Sequence, residues 1–165
     1  MAFIICYNKV SNDTVRRPNL TSDYSSRIET ELEVSAYIQD LRYALDRGAT
    51  LTFQVTRRID DNRDEQYTNL YTVNTLFPDE DPVNALRREL RDLTVEDYMK
   101  TVKDLRFPGR SEMREFGKVY NGKDDVYIKI RVELLNKFGN TTAFVMSFHF
   151  AEKAFTLNMF PYKKG

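Results

Sequence analysis

Two segments in the C-terminal third of the chain alternate between apolar and polar residues. Residues 126–134 read VYIKIRVEL and residues 143–150 read AFVMSFHF, and in both an unbroken series of apolar side chains occupies the even-numbered positions. A period of two is typical of β-strands that have one apolar face and one mixed face. The dipeptide Asn121-Gly122 precedes the first segment and favours a tight hairpin turn, because both residues readily adopt positive φ angles. The pattern therefore predicts antiparallel strands at this end of the chain.

The pairing of these two strands determines which face carries His149, the only histidine of the chain. Their apolar sets share one side of the sheet if a three-residue loop, KFG at residues 137–139, connects them with its glycine in the left-handed conformation. This register places His149 opposite Tyr127 and Ser147 opposite Lys129. A slip of one residue would bury His149 and expose the phenylalanines. We therefore expect His149 on the mixed face, beside a tyrosine and a lysine.

Helical periodicity is clearest in residues 31–48, ELEVSAYIQDLRYALDRG. Apolar residues recur there at spacings of three and four, which is typical of an amphipathic helix packed on a core. These residues are Val34, Tyr37, Ile38, Leu41 and Leu45. The Arg-Gly pair at 47–48 predicts the end of the helix. The next segment, TLTFQVT, has strand-like composition, and the charged RRIDDNRDEQ after it is predicted to be a turn that precedes YTNLYTV.

Two further helices with acidic boundaries are predicted before the C-terminal strands. The first covers Pro82 to Arg91. The second opens at TVED, where Thr94 is a natural N-cap and Asp97 can return a capping bond, and this helix would carry Lys100. Together with the strands, these elements predict an α+β fold, in which a few helices pack on a mainly antiparallel sheet of about five or six strands.

The composition is that of one soluble globular domain. The 165 residues are 41% hydrophobic and 30% charged, and no apolar run approaches the roughly 20 residues of a membrane-spanning helix. Residues 1–30 begin with MAFIICY, too short for a secretory signal and compatible with a short edge strand, and then lack periodicity. They predict an N-terminal arm ahead of a single domain over residues 31–165. The single cysteine, Cys6, allows neither an internal disulfide nor a cysteine-based zinc site, and a cytoplasmic location is the simplest expectation.

The charge distribution is uneven although the net charge is zero. A neutral chain does not by itself predict a nucleic-acid partner. Between Tyr98 and Arg131, however, nine basic side chains accompany five acidic ones. This local excess of cations fits either a solvated surface or a site for phosphate.

An imidazole, a phenol and an ammonium group on one sheet face can move a proton and stabilise an anion. Metal-independent RNA cleavage requires such groups, because a base removes the 2′ proton, an acid protonates the leaving 5′ oxygen, and cations stabilise the phosphorane. His149 suits either proton role, since an unperturbed histidine titrates near neutral pH. The alternative is a cross-strand Tyr127–His149 pair that only packs.

Three motifs follow one another along the chain: LTVEDYMKT, REFGKVYNGKDDVYIKIRV, and MSFHF followed by LNMFPY. Their order and spacing resemble the MqsR-type (motility quorum-sensing regulator) toxins of bacterial type II toxin–antitoxin modules, which belong to the RelE-like group of mRNA interferases. The likeness is best from about Leu93 to Tyr162 and looser from about Leu32. It implies a RelE/MqsR-like fold and an endoribonuclease that leaves cyclic phosphate ends without a metal or cofactor. It also implies two partners, mRNA (free or on the ribosome) and a cognate antitoxin protein.

The resemblance assigns roles to individual positions of this chain. Family catalytic roles fall on Lys100 in DYMK, Glu115 in REF, Tyr127 in VYIK and His149 in SFH. Apart from the resemblance, the residues themselves make Arg114, Lys129 and Arg131 the candidates for binding substrate phosphate. In the implied mechanism the two lysines stabilise phosphate charge. His149 and Glu115 share proton transfer, and Tyr127 orients the scissile phosphate.

The sequence departs from the family pattern at two of these sites. Arg114 and Glu115 stand where the family often has Trp and Gln, so that a carboxylate replaces an amide. His149 stands where some members have lysine, so that a titrating group replaces a fixed cation. Two other functions stay open: a non-catalytic module that binds RNA or a protein through the Tyr127–His149 face, and an unrelated binding domain with similar strand patterning.

Overall fold

The helices pack against one face of a six-stranded sheet. The computed structural model describes residues 23–53, 64–133 and 142–164. The strands are β1 (Tyr24–Arg27), β2 (Thr50–Phe53), β3 (Tyr98–Asp104), β4 (Met113–Tyr120), β5 (Asp124–Glu133) and β6 (Thr142–Phe150). The α-helices are α1 (Glu31–Asp46), α2 (Asn69–Leu76) and α3 (Pro82–Arg91). Within the described ranges, no helix is both long enough and apolar enough to cross a membrane.

The strand order is β1-β3-β4-β5-β6-β2, and all neighbouring pairs are antiparallel except β6 and β2. The expectation of an α+β fold on a mainly antiparallel sheet is therefore confirmed. One face of the sheet buries Phe116, Ile128 and Phe148 completely. They form one core cluster with helix residues such as Val34 and Leu41. Within the described residues, no α-helix of this cluster covers the opposite face, where the four predicted catalytic side chains lie.

Helix α1 begins and ends where its sequence predicts. Thr30 caps its N-terminus, because the Glu33 N–H donates to the threonine hydroxyl (3.3 Å) and the Glu33 carboxylate accepts from the Thr30 N–H (2.7 Å). This bonding lowers the pKa of Glu33. At the other end, Gly48 has a φ of +80°, which glycine adopts without steric cost. Helix α3 coincides with the predicted segment, and Asp81 caps it.

The predicted register of β5 and β6 is confirmed around the candidate site. Tyr127 pairs with His149, and Lys129 pairs with Ser147. Beyond Lys129 a β-bulge shifts the register by one residue, so that Val145 joins the fully buried face. The predicted register is therefore wrong in the first half of β6, where the odd-numbered Ala143 and Val145 join the core cluster. The bulge leaves the half that carries the histidine in the predicted register.

The hairpin turn between β4 and β5 also forms as predicted. Asn121 and Gly122 have φ angles of 51° and 72°, which are the positive values that this turn requires. The predicted connection at 137–139 lies outside the described residues. So do residues 54–63, which contain the end of TLTFQVT and most of the predicted charged turn.

Helix α2, which begins within YTNLYTV and ends three residues beyond it, bonds to the backbone of β6. Within the described residues, β2 reaches only the first half of β6. In the second half, Asn69 accepts a hydrogen bond from the Phe148 N–H (3.0 Å) and donates one to the Met146 carbonyl (3.2 Å). The Thr72 hydroxyl accepts one from the Phe150 N–H (2.8 Å). Two side chains on one helix face thus satisfy backbone groups of a strand and fix the part of β6 that carries the site.

The segment opened by TVED is not a helix, and this prediction is wrong. Thr94 and Asp97 do make the capping bond, with the Thr94 N–H donating to the carboxylate at 2.8 Å. However, they enclose a single 3₁₀ turn, Val95–Asp97, which leads directly into β3. Lys100 therefore lies on a strand. The reason is that β3 pairs on both sides, with β1 and β4, and such pairing overrides a local helix signal.

The segment predicted as an N-terminal arm, residues 1–30, contains a strand. Tyr24–Arg27 forms β1, the outermost strand next to β3 in the described sheet. All four residues are exposed, so the segment lacks the apolar alternation from which a strand is predicted. Arg27 fixes it through ion pairs with Glu29 (2.8 Å) and Glu112 (3.0 Å). Residues 1–22, including MAFIICY, lie outside the described ranges.

Candidate active site

The sheet face opposite the helices carries the predicted catalytic side chains in two rows. From β3 to β6 the first row is Lys100, Glu115, Lys129 and Ser147. From β4 to β6 the second row is Gly117, Tyr127 and His149. Residues directly opposite each other on paired strands share a face and are near neighbours. Four strands therefore bring together side chains that are distant in the sequence.

Glu115 is a buried carboxylate held between two lysines. Its exposed fraction is 6%, and its oxygens lie 3.2 Å from Lys129 Nζ and 3.7 Å from Lys100 Nζ. Burial of a carboxylate is costly unless cations compensate its charge. The Lys129 side chain is only 15% exposed, whereas that of Lys100 is 47% exposed. Lys129 is thus fixed beside the carboxylate, and Lys100 has the freedom to turn towards a ligand.

His149 packs against Tyr127 next to this ion-pair cluster. The ring centroids are 5.4 Å apart, with the planes inclined by 40°, and the histidine is 7% exposed. His149 Nδ1 lies 2.9 Å from the backbone oxygen of Phe150. A carbonyl oxygen only accepts hydrogen bonds, so Nδ1 carries a proton and the ring gains or loses its titrating proton at Nε2. This contact therefore selects one tautomer of the imidazole.

A pocket of about 580 Å³ opens over these groups. The four predicted catalytic residues, Lys100, Glu115, Tyr127 and His149, all line it. The remaining lining residues are Ile28, Met99, Ala151, Glu152, Lys153, Phe155 and Met159. The titratable groups of the floor come from the strands, whereas most of the apolar wall comes from the segment after β6. The volume is within the range of ligand-binding pockets.

A glycine in β4 allows the C-terminal segment to close over the sheet. A Cβ atom on Gly117 would lie 2.7 Å from Phe155 Cε2 and 2.9 Å from Phe160 Cζ, which is too close for non-bonded carbon atoms. The two rings therefore pack directly on the β4 backbone. The Phe155 N–H also donates to the Asp125 carboxylate at 2.7 Å. These contacts anchor the segment that forms the apolar wall of the pocket.

The two arginines predicted to bind phosphate do not line this pocket. Arg114 lies on the helix-covered side of the sheet, where its guanidinium carbon is 4.3 Å from the Tyr37 ring centre and Nη2 is 2.8 Å from a Glu29 oxygen. Its place at an even-numbered position of β4 explains this, because the odd-numbered positions face the pocket. Arg131 is 8% exposed and directs Nε to the Glu133 carboxylate at 2.9 Å. Lys129, the third residue of this group, lies 3.2 Å from a pocket residue, Glu115.

The apolar wall is the part of the site that the sequence analysis missed. Phe155 and Met159 lie in AEKAFTLNMF, a stretch that shows neither helical nor strand periodicity. The available signal was Gly117, a lone glycine inside a strand-like segment. Such a glycine suggests a close approach of another part of the chain.

Among the described residues, no group of three or more His, Cys, Asp or Glu side chains is placed to hold a metal ion. Comparisons of the chain with protein-family models, with curated proteins and with solved structures give no match. The chemistry of the pocket therefore has to be inferred from the side chains that line it.

Proposed function

We propose that the chain is a metal-independent endoribonuclease of the mRNA-interferase type, with a RelE/MqsR-like fold. The observation that carries this proposal is the convergence of Lys100, Glu115, Tyr127 and His149 on one pocket. They supply a carboxylate, an imidazole and a cation within reach of one ligand, and cleavage by an internal nucleophile needs a base, an acid and a charge stabiliser. The 2′-hydroxyl of RNA is such a nucleophile, so the substrate is RNA in a single-stranded form.

Glu115 acts as the base and His149 as the acid. The carboxylate removes the proton of the 2′-hydroxyl, and the 2′ oxygen forms a bond to phosphorus. The bond from phosphorus to the 5′ oxygen then breaks, and this oxygen takes the proton from Nε2 of the imidazolium. The products are a 2′,3′-cyclic phosphate and a 5′-hydroxyl. Proton exchange with water returns Glu115 to the carboxylate and His149 to the imidazolium.

The other pocket residues, with Lys129 beside Glu115, stabilise and orient the phosphate. Lys100 has the longer ion pair with Glu115 and the more exposed side chain, so it turns to the phosphorane as negative charge develops. Lys129 stays beside the carboxylate and adds a second positive charge. Tyr127, packed on His149, orients the scissile phosphate through its hydroxyl. The apolar wall around Phe155 offers a surface for the neighbouring base.

This function implies two macromolecular partners. One is mRNA, free or on the ribosome, and the other is a cognate antitoxin that covers or distorts the pocket. The site of action would be the cytoplasm.

A non-catalytic module that binds RNA or a protein is the second candidate. It is favoured by the pairing of Glu115, because a carboxylate that lies close to two lysines also describes a structural ion-pair cluster. The two candidates differ in whether His149 moves a proton, which can be measured.

The test is cleavage of a defined mRNA by the purified chain in EDTA, beside His149→Ala and Tyr127→Phe. We expect wild-type products with cyclic phosphate ends, and a rate for His149→Ala that is lower by about 10²- to 10⁴-fold, because the proton donor is lost. Urea unfolding of each variant provides the control for folding. Equal cleavage by wild type and His149→Ala would point to a contaminating nuclease and overturn the proposal. RNA binding without cleavage, with or without ribosomes, would support the second candidate.

A further inference from the structure

Contacts between cations and aromatic rings continue from the pocket to the outer strand of the sheet. Lys129 Nζ, which lies beside Glu115, is also 5.3 Å from the centre of the Tyr24 ring in β1. The Arg106 guanidinium, from the loop between β3 and β4, is 5.2 Å from the same ring. Tyr24 therefore connects the floor of the pocket with this loop.

The loop repeats the arrangement of ring and guanidinium. The Phe107 ring centre lies 5.8 Å from the Arg106 guanidinium and 4.1 Å from that of Arg110. Tyr24 and Phe107 are 39% and 43% exposed, so both rings are accessible to a ligand. Lys103 Nζ donates to the backbone oxygen of Arg110 and thereby holds the loop in this shape. The aromatic track, as we name it, consists of Lys129, Tyr24, Arg106, Phe107 and Arg110.

We propose that the aromatic track binds the single-stranded RNA that extends from the pocket, with bases stacked on Tyr24 and Phe107 and a phosphate bound by Arg110. This inference rests on the proposed function for the identity of the substrate. Exposed aromatic rings beside guanidinium groups hold successive bases of a single strand with little regard to sequence. Continuity with the pocket through Lys129 places the track where the rest of the substrate would leave the site.

The two arginines of the track have different surroundings. Arg106 donates to both oxygens of Asp104, at 3.0 and 2.9 Å, so its charge is largely neutralised and it serves to fix the two rings. Within the described part of the chain, the Arg110 guanidinium forms no ion pair and lies over the Phe107 ring. Arg110 is consequently the residue with charge available for phosphate.

The test measures binding of a labelled 2′-O-methyl RNA of about 12 nucleotides by fluorescence anisotropy, because this RNA cannot be cleaved. Phe107→Ala is expected to raise the Kd about 5- to 100-fold, as a stacking surface is lost. Arg110→Ala is expected to lower the slope of log Kd against log salt by about 0.7, the value for one phosphate contact on a single strand. The matched control is Tyr43→Ala, since the Tyr43 ring on α1 is 62% exposed and has the Arg47 guanidinium at 5.1 Å. This control should bind RNA as wild type does.

A dinucleotide substrate separates the track from the pocket, because it occupies the pocket alone. Phe107→Ala should cleave the dinucleotide at the wild-type rate. If Phe107→Ala lowered the cleavage rate equally on the dinucleotide and on long RNA, the proposal for the aromatic track would be overturned, since the substitution would then act through the pocket. Wild-type binding by both track variants would also overturn it, would leave the proposed function intact, and would favour a protein as the ligand of this surface. Failure of the wild-type chain to bind RNA, either free or on ribosomes, would overturn the track and the proposed function together.

Discussion

Two buried glutamates on opposite sides of the sheet have similar surroundings and different access to ligand. Glu115 and Glu89 are 6% and 7% exposed, and each lies beside two cations. Glu89 accepts a hydrogen bond from Arg88 at 3.1 Å, and Lys118 Nζ is 3.8 Å away. It also accepts one from the Tyr120 hydroxyl at 2.7 Å, whereas Glu115 lines the pocket. Burial and ion pairing are therefore common to both carboxylates, and the opening to a pocket is the feature that distinguishes Glu115, the candidate catalytic carboxylate.

The network around Glu89 fastens helix α3 to strand β4. Arg88 and Glu89 belong to the helix, while Lys118 and Tyr120 belong to the strand. On the other face, the Glu115 cluster joins β3, β4 and β5, which are already joined by backbone hydrogen bonds. The first network has an evident role in assembling the fold. The second adds little to strand pairing, which is consistent with a role towards a ligand.

The largest expected effect comes from exchanging each glutamate for glutamine. Glu115→Gln should lower RNA cleavage by about 10²- to 10⁴-fold, because an amide does not remove the 2′ proton. Glu89→Gln should leave cleavage unchanged. Both exchanges should lower the free energy of unfolding by about 1–3 kcal/mol, because each leaves nearby cations with less compensation. Single-turnover cleavage and urea unfolding of both variants measure this, and a parallel loss of activity in the two would remove the distinction between the faces.

A smaller effect is expected where the C-terminal segment packs on β4, on the pocket side of the sheet. Gly117→Ala places a methyl group against Phe155 and Phe160, which should cost about 1–3 kcal/mol in stability and raise KM by displacing the apolar wall. Gly109→Ala is the matched control, because no atom lies within 4 Å of the added Cβ, and it should change stability by less than about 0.5 kcal/mol. Thermal unfolding and KM of the two variants provide the comparison. Wild-type stability of Gly117→Ala would show that the C-terminal segment does not pack on β4 as described.

The sequence predicts which side chains lie on the pocket face of the sheet only where the strands alternate clearly between apolar and polar residues. The sequence predicts Tyr127 opposite His149 because a slip of one residue would turn an entire apolar face to water. The sequence predicts a helix for Lys100 because the capping residues of TVED also open a 3₁₀ turn, and pairing of β3 with β4 and with the sequence-distant β1 decides between the two. Arg114 lies opposite Ile130 in the β4–β5 hairpin, but MREFGKVY does not alternate between apolar and polar residues, so the sequence does not show on which face Arg114 lies. Strand periodicity therefore predicts the face of a residue in β5 and in the second half of β6, where alternation is clear, and not in β3 or β4.

The sequence predicts even less of the network around Glu89, on the helix-covered face of the sheet. Glu89 occupies a helical position that, from sequence alone, is indistinguishable from a solvated charge. Its burial follows from the packing of α3 on the sheet, which brings the Tyr120 hydroxyl and Lys118 to it. No spacing in the sequence connects these residues, so this carboxylate was not predicted.

The smallest expected effect is on the pH dependence of stability, and it concerns the hydrogen bond between Tyr120 and Glu89 on the helix-covered face. Burial and the hydrogen bond to Glu89 raise the pKa of Tyr120 well above its usual value. Because tyrosines in the unfolded chain titrate near pH 10, the stability contributed by this group is complete below about pH 10 and declines as the pH rises further. Tyr120→Phe should therefore lower the free energy of unfolding by about 1–2 kcal/mol at neutral pH and flatten its decline above about pH 10, without affecting RNA cleavage at neutral pH. Tyr37, whose pKa burial also raises, is present in both proteins and cancels from the difference. Urea unfolding from neutral to alkaline pH measures this difference. Parallel curves for the two proteins would mean that the Tyr120 hydroxyl is neither buried nor bonded to Glu89 as described.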